Sequence, residues 1–136
     1  MPGPQGVRVV AGGTNYTSRP MQHASAMALS VGCGERVFIG PWDAPAAGAS
    51  RVVTLALRSV EGPEVCGLEA RWVDREANPI AMVTTGCFSG TTDTERVATL
   101  TGDATPRPGG VLLELSLPQA AGCRGVLVRA GQNPSL

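Results

Sequence analysis

Four cysteines are the residues of this chain best placed to do chemistry: Cys33, Cys66, Cys87 and Cys123. They form no CxxC knuckle, and the single histidine, His23, completes no metal-ligand set, so the spacing argues against zinc. Cysteine is also a small, readily buried side chain, and four reduced core thiols are the plain alternative to disulfides. His23 sits in PMQHASA, no serine carries a nucleophile signature around it, and a phosphate loop needs the lysine that this sequence lacks. Asp74 with Glu76, and Asp93 with Glu95, flank turns and read as solvated carboxylates. The expectation is a protein without catalytic residues, cofactor or bound metal.

The aromatic residues give a second set. Trp42 lies in the turn GPWDAP and Trp72 in GLEARWVD. Alternation places Cys66, Leu68, Ala70 and Trp72 on one face and Glu69 and Arg71 on the other, so Trp72 is expected in the core. Trp42 is expected to be the more exposed ring. A hairpin centred between Glu76 and Ala77 makes partner numbers sum to 153, which sets Trp72 opposite Ala81 and Cys66 opposite Cys87.

These residues require strands to position them. Short apolar or alternating runs occur at 7–11, 26–32, 36–39, 51–59, 64–73, 79–84, 95–100, 110–117 and 124–130. Segments carrying Gly, Pro, Asp or Asn separate them, in a chain of 136 residues with 18 Gly and 11 Pro. Val53, Leu55 and Leu57 share one face of their strand. Val111, Leu113, Leu115 and Leu117 share another, opposite Leu112, Glu114 and Ser116. One apolar face and one mixed face is the pattern of stacked antiparallel sheets, so the expected fold is an all-β antiparallel sandwich.

Composition narrows the function. The formal net charge is zero, which lacks the electrostatic footprint of a nucleic-acid or membrane-surface binder. No apolar run approaches the roughly 20 residues of a membrane span. MPGPQGVRVVAGG does not read as a secretory signal, so the expectation is a chain made in the cytoplasm and kept there until it is assembled or released. All eleven basic residues are arginines. A surface built for bidentate contacts and a coding bias against lysine both account for that.

From residue 14 onward the chain resembles the jelly-roll carbohydrate-binding modules embedded in minor tail proteins of actinobacterial phages. TNYTSRPMQ (14–22) is similar to their opening signature, keeping Thr14, Asn15 and Pro20. SRVVTLALRS, LEARWVD, TERVAT, ATPRPGG, VLLELSL and GVLVRAG then follow in the family's order. The family's calcium ligands are not matched: Met21-Gln22 and Cys123-Arg124-Gly125 stand at those places, without hard oxygen donors. In a jelly roll the first and last strands run side by side, so the resemblance also implies that Cys33 approaches Cys123.

The resemblance implies a jelly-roll β-sandwich (14–130); the Gly/Pro-rich start reads as an N-terminal extended arm (1–13) and the Pro-containing end as a C-terminal tail (131–136). The resemblance also implies a non-catalytic structural virion protein of a bacteriophage, a capsid decoration or minor tail protein. Its partners would be other virion subunits and further copies of itself, with the Pro-containing arm and tail lying across neighbours. The alternative is a carbohydrate-binding module for host cell-surface glycan, with Trp42, Asp43 and Tyr16 as the contact residues.

Overall fold

A computed structural model describes residues 6–11, 16–20, 26–90 and 92–131, with side chains from Ser30 onward. Ten strands succeed one another: β1 (Gly6–Ala11), β2 (Tyr16–Pro20), β3 (Ala26–Val31), β4 (Glu35–Trp42), β5 (Ser50–Ser59), β6 (Glu69–Asp74), β7 (Pro79–Val83), β8 (Thr94–Thr101), β9 (Val111–Ser116) and β10 (Val126–Gly131). They form a six-stranded sheet in the order β2-β1-β4-β9-β6-β7 and a four-stranded sheet in the order β3-β10-β5-β8. All pairings between named strands are antiparallel. Among the described residues no helix is long and apolar enough to cross a membrane.

The sheets stack because each presents an aliphatic face. From the four-stranded sheet come Val31, Val53, Leu55, Leu57, Ala98, Leu100, Val126, Val128 and Ala130. From the six-stranded sheet and its flanks come Val37, Ile39, Trp42, Leu68, Ala70, Trp72, Val111, Leu113, Leu115 and Leu117. All are buried in one cluster. Alternating burial along β5 follows directly from the alternation in RVVTLALRS. At roughly 1.5–3 kcal/mol per fully buried aliphatic side chain, this cluster is the main stabilising term.

From Trp72 outward the β6–β7 hairpin has the register sum of 153, with Ala70 opposite Val83, Arg71 opposite Met82 and Trp72 opposite Ala81; next to the turn the register shifts, and Val73 lies opposite Pro79. Strand 64–73 is shorter than the sequence suggests. Regular pairing begins at Glu69, and before it only Val65 bridges Phe88, because Gly67 interrupts the run. β2 is absent from the sequence reading, since YTSRP has no apolar alternation; it pairs on one side only, at the edge of its sheet, where less patterning is needed. Within the span expected as an arm, Gly6–Ala11 joins the sheet between β2 and β4. Residues 1–5 and 132–136 lie outside the described residues.

Connections 32–34, 60–68, 84–93 and 117–125 gather at one end of the sandwich. Backbone hydrogen bonds tie them pairwise. Gly34 N–H donates to the Leu117 carbonyl at 2.7 Å, and Val65 N–H donates to the Phe88 carbonyl at 2.8 Å.

Candidate binding faces of the sandwich

Trp42 is 2% exposed and belongs to the core, which overturns its expected exposure and its role as a glycan platform. The cause is a change of phase in β4. Val37 and Ile39 point inward, and strict alternation from Ile39 would turn Trp42 out. The register shifts between Ile39, opposite Leu113, and Trp42, opposite Val111, so that three residues oppose two and Trp42 turns in. Gly110 permits the close approach: its φ is +87°, and a Cβ there would lie 2.3 Å from the Trp42 carbonyl oxygen. Inside, Trp42 meets Trp72, which is fully buried as the alternation of its own strand requires. Phe38 and Phe88 are buried as well.

The other two residues of the expected glycan contact are Asp43 and Tyr16. Asp43 is exposed, and its carbonyl accepts a hydrogen bond from Arg51 Nη2 at 3.0 Å. Tyr16 lies in β2, and its side chain is outside the described residues, as is His23.

The cysteines come together in two pairs. Cys66 and Cys87 are disulfide-bonded with Cα atoms 4.0 Å apart, and Cys33 and Cys123 are disulfide-bonded with Cα atoms 6.0 Å apart. Both bonds lie at the four-loop end. One joins the β3–β4 and β9–β10 connections; the other joins the β5–β6 and β7–β8 connections. Glu64 approaches the Cys66 and Cys87 sulfurs, but sulfurs bonded to each other are not thiolate ligands.

Each outer face carries a carboxylate held by two arginines. On the six-stranded sheet Glu114 of β9 is 2% exposed. Arg71, directly opposite on β6, donates a hydrogen bond from Nε to Oε1. Arg36 of β4 places Nε 3.1 Å from Oε2, an ion pair without hydrogen-bond alignment. The hydrogen bond with Glu114 holds the Arg71 guanidinium in its charged form, raising its pKa above the ordinary value. Phe38, Val73 and Leu112 form a second buried cluster on this face.

On the four-stranded sheet Asp93 forms an ion pair with Arg58 Nε at 3.1 Å, without hydrogen-bond alignment, and accepts a hydrogen bond from Arg129 Nη2. Asp93 is therefore engaged with two strands and is more than a solvated turn residue. Asp74 does serve its turn: Oδ1 accepts the N–H groups of Glu76 at 2.9 Å and Asn78 at 2.8 Å, and Oδ2 accepts the Asn78 side-chain amide. Burial pushes the Asp74 carboxyl up, but the Asn78 and Glu76 hydrogen bonds outweigh it and leave the pKa lowered.

A shallow depression of about 360 Å³ opens beside Asp93, lined by Ser30, Ala56, Arg58, Leu127, Val128 and Arg129. Sequence reasoning missed it. Arg58 and Arg129 lie in different strands, and only the β5–β10 pairing sets them on one face. Compared with known proteins, the sequence matches no protein-family model and no curated protein.

Proposed function

We propose that this chain is a non-catalytic structural module of a bacteriophage virion, a capsid decoration or minor tail protein that binds other virion subunits and further copies of itself. The phage setting rests on the resemblance of residues 14–130 to the jelly-roll modules of tail proteins. Strand order supports the jelly-roll part of that reading. Numbered from β3 as the first strand, the eight strands β3 to β10 form sheets in the order first-eighth-third-sixth and second-seventh-fourth-fifth.

The observation that carries the adhesive role is the lateral edge formed by β7 and β8. Both strands end their sheets and they contact each other. Met82 on β7 is 69% exposed and Val97 on β8 is 57% exposed. Edge strands with unpaired backbone groups and exposed apolar side chains are templates for a neighbouring subunit. The two disulfides suit a protein displayed on a virion surface, which is oxidising, after synthesis in a reducing cytosol.

Mass spectrometry of purified virions, with a map of the protein's position, tests the reading. Stoichiometric presence at a subunit boundary is the expected result. A chain that never co-purifies with virions and stays monomeric would overturn it.

A further inference from the structure

The depression on the four-stranded sheet combines three chemistries. Asp93, Arg58, Leu127 and Ser30 form one row across the sheet: Leu127 is paired with Arg58 on one side and Ser30 on the other, and Asp93 precedes Thr94, the partner of Leu57. Ala56 and Arg129 form the next row. Asp93 accepts a hydrogen bond from Arg129 Nη2 and pairs with Arg58 Nε at 3.1 Å without hydrogen-bond alignment, and the remaining guanidinium N–H groups have no partner among the described residues. Ala56 and the 43% exposed Leu127 supply an apolar floor. Glu95 stands exposed on β8, separated from Arg129 by Ala56.

We propose that this depression binds one carboxylated sugar residue of an acidic polysaccharide. The sugar carboxylate bonds the free N–H groups of Arg58 and Arg129, since a guanidinium matches a carboxylate in bidentate geometry. The C–H face of the ring lies on Leu127 and Ala56. Ring hydroxyls donate to Asp93 and exchange hydrogen bonds with Ser30. Charge selects this ligand over an acidic peptide or a phosphodiester. Asp93 and Glu95 repel a dense polyanion and need hydroxyl donors, which a uronic acid carries beside its single carboxylate. A volume of about 360 Å³ suits one ring, at the small end of ligand sites. The inference goes beyond the structural role and does not depend on it, because binding is read on the isolated full chain.

Calorimetric and NMR titrations of that chain with trigalacturonate, galactotriose and hexaglutamate test the site. Trigalacturonate is expected to bind, with shifts confined to Ser30, Ala56, Arg58, Asp93, Leu127 and Arg129 and an affinity that falls with added salt. Arg129→Gln should weaken binding about tenfold, the scale of one charge-assisted hydrogen bond. Leu127→Asp leaves the Arg–Asp–Arg cluster in place at an already exposed position. It should abolish binding without changing thermal unfolding. The proposal is overturned if trigalacturonate does not bind, or if galactotriose or hexaglutamate binds as tightly. It is also overturned if the shifts map elsewhere, or if both variants bind like the parent.

Discussion

Trp42 and Trp72 meet edge to face inside the sandwich, with ring centroids 5.8 Å apart and planes inclined at 67°. The positive edge of one ring then addresses the negative face of the other. Trp42→Ala and Trp72→Ala should each cost about 3–5 kcal/mol, as large aromatic deletions in cores do. Because the rings touch, the double variant should depart from additivity by about 0.5–1.5 kcal/mol. Urea unfolding of the four proteins measures both quantities. Costs near zero for Trp42→Ala would return that ring to the surface.

The two disulfides should contribute unequally. Cys33–Cys123 spans 90 residues and Cys66–Cys87 spans 21. On the loop-entropy account these correspond to about 4.5 and about 3 kcal/mol. Paired Cys→Ser variants, compared by denaturant unfolding without reductant, should lose more stability for the 33–123 pair. Non-reducing peptide mapping should return only these two linkages, and a third linkage would contradict the fold.

Removing Arg71 should cost more than removing Glu114. The carboxylate is 2% exposed, whereas the Arg36 and Arg71 side chains are 48% and 37% exposed and can turn to water. Arg71→Ala strands a desolvated carboxylate beside Arg36 alone, at about 2–4 kcal/mol, below the full cost of breaking a buried pair because Arg36 remains. Glu114→Ala should cost about 1–2 kcal/mol. Equal losses in thermal unfolding would show that Glu114 is better hydrated than its burial implies.

Asp74 makes the hairpin turn sensitive to acid. Its folded pKa lies below the ordinary value of 3.8. The folded state therefore binds fewer protons there than the unfolded chain, and stability falls as pH falls. The contribution is fully present above the unfolded pKa and is lost as pH drops through the lowered folded value. Asp74→Ala should destabilise by about 1 kcal/mol at neutral pH. It should also flatten the acid limb of a stability-versus-pH curve measured against the parent. An unchanged acid limb would remove Asp74 from the account.

Much of the architecture can be read from local pattern alone. The alternation in RVVTLALRS decides which side of β5 is buried, because side chains in a strand alternate whatever lies beyond it. The hairpin turning at DREAN has one register from Trp72–Ala81 to the Val65–Phe88 bridge, which puts Cys66 beside Cys87. The register shifts once beside the turn, between Val73 and Trp72, and beyond that point pairing runs residue by residue, so short-range information suffices for Trp72 and the cysteines.

Tertiary structure decided the rest. Trp42 is buried because a register shift against β9 reverses the phase of β4, and that shift depends on a partner strand about 70 residues away. Glu114 alternates correctly with Leu113 and Leu115 and reads as outward and solvated. It is outward, but β9 lies in the middle of its sheet, and neighbours from β4 and β6 close over it. Arg58, Asp93 and Arg129 are likewise unremarkable in sequence and meet only when β5 pairs with β10 on one side and β8 on the other. Alternation reports the face a side chain takes; what covers that face, and which charges share it, is set by strands distant in the chain.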